Sequence, residues 1–363
     1  MKKVIALTLT LALALSLAAC GKTEKPAESP APTDAPATEA PATEAPKAEG
    51  TYKTGVGTVI NAKGTDATAD KGAAAQVDTT IVAATFDKDG KIVSATIDVA
   101  QQKAGFDAKG VAADKIDTRT KNEKGADYGM AKVSGIKKEI DAQHAALADW
   151  MVGKTVAEVK AMKLGDSADG SHKGIPAEED LKTSVTVMVG DYIAALEKAE
   201  KNAKPVEGEV AKTGLGTVIN GKATDATADK GAVAQIDTTI AVVAFDAAGK
   251  ILSSTIDVAQ QKVPFTVEGK VDGTIDMRTK NEKGADYGMA KVSAIGKEID
   301  AQHAAFADWM VGKTVAEVKA MKLGDSADGS HKGIPAEEDL KTSVTVMVGD
   351  YIAAVEKAEK NAK

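Results

Sequence analysis

The chain writes one module twice. Residues 54–204 align with residues 213–363 at a constant offset of 159, without a gap. Compared position by position, the copies differ at 24 places between 54 and 119 and at 4 places between 120 and 204. Solenoid repeats have periods of about 20–50 residues, so a unit of this length is a folding module of its own. The duplication therefore predicts two tandem homologous domains, 51–204 and 209–363, joined near Pro205-Val206-Glu207-Gly208. With aromatic residues at only 3% of the chain, their cores must be built from small aliphatic side chains.

Within each module the pattern reads strands first and helices after. Residues 76–86 are rich in Thr, Val and Ile, and Asp87-Lys88-Asp89-Gly90 is a turn signal. Residues 91–99 alternate, with Val93, Ala95, Ile97 and Val99 on one face and Ser94, Thr96 and Asp98 on the other. Copy two repeats this hairpin, with Ala247-Ala248-Gly249 in the turn and Leu252, Ile256 and Val258 on the apolar face. A helix is expected over 132–152, where Ile136, Ile140, His144, Leu147 and Met151 form one stripe ending at Gly153. Thr155-Val156-Ala157-Glu158 is a capping box opening a shorter helix. Residues 166–176 read as a loop, and a last helix is expected from Val187, with Ile193, Leu196 and Ala199 inward. The fold class is α+β: in each module an antiparallel β-sheet is covered by helices on one face.

The first fifty residues are of another kind. Lys2 and Lys3 precede an apolar run from Val4 to Leu17, too short to favour a membrane span, ending in Leu17-Ala18-Ala19-Cys20-Gly21. This ending resembles the bacterial lipobox. Residues 1–19 then read as a lipoprotein signal peptide, and Cys20 as the lipidated first residue, anchored at the outer face of a membrane. Residues 20–50 hold six of the ten prolines and form a disordered Pro/Ala/Thr/Glu-rich linker. At about 3 Å per residue it reaches about 90 Å as a polyproline spacer.

Composition narrows the chemistry. A single cysteine excludes internal disulfides, Cys-ligated zinc and iron–sulfur clusters. A net charge of -7 argues against nucleic acid as a partner. No nucleophile elbow or P-loop is present, which leaves a hydrolase without support. His144 and His303 lie on the apolar helix stripe and read as hydrogen-bonded core residues. His172 and His331 sit in the polar loop. His172 has Asp166 and Asp169 near it, without a recognised metal-ligand spacing. Tyr128 and Trp150 are bulky groups for packing, or for lining a flat aromatic ligand.

The most informative stretch is Asp180-Leu181-Lys182-Thr183-Ser184-Val185-Thr186, just before the last helix. It resembles the flavinylation motif of the FMN-binding domain family, Asp-x-x-Ser/Thr-Gly-Ala-Thr. That family includes the small flavin subunits of Rnf and sodium-translocating NADH:quinone reductase complexes, and surface lipoproteins of extracellular electron transfer. The layout, a strand pair followed by the Thr segment and a final helix, is also similar. The resemblance implies covalent FMN on Thr186 and Thr345, with Asp180 and Asp339 as motif acids and Thr183 and Thr342 inside the motif. It also implies a flavin transferase and a membrane redox donor as partners. Ser184 and Ser343 stand where the family has Gly, and Val185 and Val344 where it has Ala. A phosphate at a helix N-terminus would meet free backbone N–H groups. The plain alternative is that Thr183 or Thr186 is a helix N-cap.

Two functions follow as expectations. One is a membrane-anchored surface lipoprotein that carries electrons on flavin, a redox carrier more than an enzyme with its own substrate. The other is a cofactor-free binding or structural module of the cell envelope.

Overall fold

The computed structural model describes residues 52–113, 115–167, 170–326 and 329–363. The expected signal peptide, Cys20 and the proline-rich linker lie outside the described residues. Repeat 1 runs β1 (Tyr52–Thr65), β2 (Ala74–Phe86), β3 (Ile92–Gly105), α1 (Lys121–Lys124), α2 (Met130–Val133), α3 (Ile140–Met151), α4 (Val156–Lys160), β4 (Leu164–Asp166), β5 (Lys173–Pro176), α5 (Gly190–Lys201) and β6 (Lys204–Val206). Repeat 2 follows with β7 (Lys212–Thr224), β8 (Val233–Phe245), β9 (Ile251–Pro264), α6 (Lys280–Lys283), α7 (Ile299–Met310), α8 (Val315–Lys319), β10 (Leu323–Asp325), β11 (Lys332–Pro335) and α9 (Gly349–Lys360). The chain is α+β, and its sheets are antiparallel.

Each repeat has a meander, β1-β2-β3 or β7-β8-β9. The tight β2–β3 turn forms because the Asp87 carboxylate accepts from the Asp89 and Lys91 N–H groups, while Gly90 takes φ 75°. Helices cover one face of each meander. In repeat 1, Val82, Ala84, Phe86, Ile97 and Val99 pack there against Leu147, Met151, Ile193 and Leu196. The other face is not solvated: Val56, Ile81 and Ala83 pack on Leu215, Ile240 and Val242 of repeat 2. The two repeats thus make one compact unit with sheet against sheet in the middle and helices outside.

The last helix of each repeat lies directly on the first strand, because that strand has no side chains there. A Cβ added at Gly55 would sit 2.0 Å from the Ala199 carbonyl oxygen, and one at Gly57 would sit 1.9 Å from that of Ala195. Gly214 and Gly216 make the same approach to Ala358 and Ala354. Glycine on the strand and alanine on the helix are what permit backbone-to-backbone contact.

Five local expectations need correction. Val93 is not on the apolar face, because a bulge pairs Phe86 with Ile92, which is buried, and turns Val93 outward. Leu252 is likewise displaced from its expected face by Ile251. The helix expected over 132–152 is broken: Ser134 leaves helical geometry and Lys137 takes φ 55°, so α3 starts only at Ile140. Its stripe of Ile140, His144, Leu147 and Met151 is buried as expected. The loop over 166–176 contains the β4–β5 pair, and α5 starts at Gly190, not Val187.

Lys137 is the only non-glycine residue at positive φ among the described residues, and its counterpart in repeat 2 is Gly296 at φ 62°. A left-handed L-residue costs about 1–2 kcal/mol, part of which glycine returns in unfolded-chain entropy. Lys137→Gly should therefore raise unfolding free energy by about 0.5–1 kcal/mol, and Gly296→Lys should lower it by a similar amount. Urea melts of the two variants check this; a destabilised Lys137→Gly would contradict the left-handed backbone at that site.

Candidate functional site

Residues 178–184 form a turn held by the Leu181 and Lys182 N–H groups, which both donate to the Glu178 carbonyl. Ser184 donates back to the Asp180 and Leu181 carbonyls at 3.4 and 3.3 Å. Val185 is buried in the repeat 1 core, as Val344 is in that of repeat 2, so valine fills space where alanine would leave a gap. Asp180 accepts from the Trp150 indole N–H at 3.0 Å. Thr183 and Thr342 are exposed, as are Asp180 and Asp339.

Thr186 is held by buried Gln143. Its N–H and hydroxyl reach Gln143 Oε1 at 2.8 and 3.2 Å, and Ser134 Oγ lies 3.1 Å from its Oγ1. Gln143 Nε2 donates to the Lys138 carbonyl, which fixes the amide with its oxygen toward Thr186. The Thr186 hydroxyl therefore donates to Gln143 and accepts from Ser134. Thr345, Gln302 and Ser293 repeat this arrangement. Neither Thr183 nor Thr186 caps α5, whose N-cap is Val189 without a side-chain bond.

These bonds bear on the implied flavin. A phosphoester would replace the Thr186 hydroxyl proton, setting phosphate oxygens against the Gln143 acceptor oxygen. The Ser184, Val185 and Thr186 N–H groups all have partners already. In this conformation the surroundings of Thr186 do not fit a phosphate.

A second polar cluster lies between β3 and the helices. Asn122 Nδ2 donates to the Ile97 carbonyl at 2.8 Å, so its Oδ1 faces His144 Nδ1 at 2.6 Å. The imidazole proton is then on Nδ1, and Nε2 accepts from the Tyr192 hydroxyl at 2.9 Å. Asn281, His303 and Tyr351 repeat the chain. Burial pushes both histidines down to about 3, with Lys121 or Lys280 adding to the effect. The expectation of a hydrogen-bonded core histidine matches this geometry. On the other side of Asn122, Asp98 Oδ1 accepts from the Asn122 and Val99 N–H groups at 3.2 and 2.7 Å. Burial nevertheless pushes Asp98 and Asp257 up to about 6, against these hydrogen bonds and one from Thr120 or Thr279.

Asn122, Asp98 and Gln143 were not singled out by sequence reasoning. A signal was present: Thr120-Lys121-Asn122-Glu123 is a second capping box of the Thr155–Glu158 type, with both reciprocal bonds formed. Tyr128 and Trp150 are half-buried, each with a lysine ammonium over its ring, Lys121 at 5.1 Å and Lys154 at 4.1 Å. His172 is exposed and bonds Ser171. Among the described residues no group of three His, Cys, Asp or Glu side chains could hold a metal, and Asp169 lies outside them. Among the described residues no helix is long and apolar enough to cross a membrane. No protein-family model, curated protein or solved structure matches this chain.

The two titrating groups have opposite signs. As pH falls from about 6.5 toward 3, the unfolded imidazole takes a proton that the native one refuses, so each histidine lowers stability. From about 6 to 4 the native Asp98 holds a proton that the unfolded one does not, so each aspartate raises stability. His144→Gln with His303→Gln should cost about 1–3 kcal/mol per site at pH 7. That gap should narrow as pH falls to 4, by up to about 1.4 kcal/mol per pH unit per histidine. Asp98→Asn should stabilise at pH 7 and be neutral near pH 4. Denaturant melts at pH 7, 5 and 4 read both; a gap that stays constant for the histidine variant shows that these rings are not held neutral.

Proposed function

We propose that this chain is a cofactor-free binding or structural module of the cell envelope, anchored through Cys20 and carried on the proline-rich spacer. One observation supports it above the others. The side chains of the Thr segment and of the buried histidine cluster are engaged in internal bonds: Thr186 to Gln143 and Ser134, Asp180 to Trp150, and His144 to Asn122 and Tyr192. A doubled module on a long tether suits presentation of a rigid body away from a membrane better than turnover of a substrate.

The flavin-based electron carrier is the second reading. In its favour, both repeats run a strand pair, a D-x-x-T segment and then the last helix, in the order the family resemblance implies. It would place FMN on Thr186 and Thr345, with a flavin transferase to attach it and a membrane redox donor to reduce it.

One preparation tests both. The mature protein purified from cells that contain a flavin transferase should be colourless, with no flavin increments in its intact mass. Yellow colour that survives denaturation, lost stepwise in Thr186→Ala and Thr345→Ala, would overturn the cofactor-free reading. For the anchor, Cys20→Ala should release the protein from membranes or leave it unprocessed; unchanged acylation and fractionation would refute lipidation at Cys20.

A further inference from the structure

The contacts between the repeats come in reciprocal pairs. Asp66 Oδ1 accepts from the Val271 N–H at 2.8 Å, and Asp225 Oδ1 accepts from the Ala112 N–H at 2.9 Å. The Ala67 N–H donates to the Gly269 carbonyl, and the Ala226 N–H to the Gly110 carbonyl, both at 2.8 Å. Lys198 pairs with Glu282 at 2.7 Å and Lys357 with Glu123 at 2.5 Å. The offset of 159 carries each member of these pairs onto the other. Phe106 meets its own counterpart Phe265 edge-on at 5.6 Å, and Ile81 clusters with its counterpart Ile240. Residues that meet their own counterparts lie at a two-fold axis, so this is an isologous interface inside one chain.

Each such contact needs two complementary residues, and each repeat carries both. Repeat 2 alone holds Asp225 with Val271, Ala226 with Gly269, and Lys357 with Glu282. Repeat 1 holds the counterparts. The polar pairs that seat repeat 1 on repeat 2 are all present for repeat 2 on repeat 2, where Ala223 takes the place of Gly64 and the Val271 side chain, 2.5 Å from a Cβ built at that position, has to shift. We propose that the sheet face of each repeat is a self-complementary docking surface whose partner is the same face of a second copy of this chain.

In the closed chain the other repeat fills that surface. Between Val206, which pairs with Tyr52, and Ala211, whose N–H donates to the Phe245 carbonyl, lies a short hinge. Its residues Glu207, Gly208 and Glu209 are exposed, and Gly208 takes φ 104°. A short tether holds the partner at an effective concentration on the order of mM, so the closed monomer dominates in dilute solution. Spoiling one face removes that competitor and leaves the other face open to a second chain.

The experiment uses the full chain. Ile81→Asp places a carboxylate at the centre of the repeat 1 face, where Ile81 is fully buried. The variant should double its mass in light scattering at tens of µM, through repeat 2 against repeat 2, while the parent stays monomeric. Adding Lys357→Glu should weaken that dimer several-fold by opposing Glu282, whereas adding Lys198→Glu, on the spoiled repeat, should leave it unchanged. A folded monomer, or equal sensitivity to both charge reversals, overturns the proposal. Should Ile81→Asp unfold the chain, deletion of residues 207–209 decides: both faces stay intact but the chain cannot close on itself. A dimer is then expected, and a folded monomer overturns the proposal.

Discussion

The close approach of the last helix to the first strand is the constraint on which the other contacts rest. Gly55 and Gly57 let α5 lie within backbone contact of β1, where any side chain would hold it off. That fixes the height of Tyr192, whose hydroxyl completes the buried histidine cluster, and of Lys198, which reaches Glu282 in the other repeat. Asn202, just past the helix end, donates to the Val56 carbonyl and ties the same helix down at its far end.

From that helix a polar path runs through both repeats. Tyr192 bonds His144, His144 bonds Asn122, and the neighbouring Glu123 both closes a capping box and pairs with Lys357 on α9. Tyr351, on the same α9, starts the equivalent path back to α5 through His303, Asn281, Glu282 and Lys198. The ion pairs are partly exposed and individually worth little. The buried groups between them are fully satisfied, which makes the cluster a source of specificity more than of chemistry.

Much of this was legible in the sequence, and the failures have a common cause. The hairpin positions, the Thr155 capping box and the stripe from Ile140 to Met151 are local patterns that the structure repeats, whereas the bulge that turns Val93 outward and the break before Ile140 leave no such mark. Asp98, placed opposite the apolar face, is covered by Thr120 and Asn122 of its own repeat, and Ile81 on that face by the other repeat, and neither cover shows in the local pattern. The helix break at Lys137 is also silent in the first copy; only Gly296 in the second marks a left-handed position. The Thr segment was legible as an unusual string, but the partner that engages Thr186 is Gln143, 43 positions away on α3.

Fusion of two copies into one chain has a consequence for how such a surface can change. In a symmetric dimer every substitution alters both sides of an interface at once, so only changes that suit themselves survive. Here the sides are separate letters in one text. Thr85 sits within hydrogen-bond distance of both Thr54 and Thr213, while its counterpart Ala244 packs with Tyr52 and Val206. In the cluster between the sheets, Val56 has the larger Leu215 as its counterpart and Ala83 the larger Val242. About half of the differences between the copies fall in the strands and turns of the sheets, where one side can be rewritten while the other stands still.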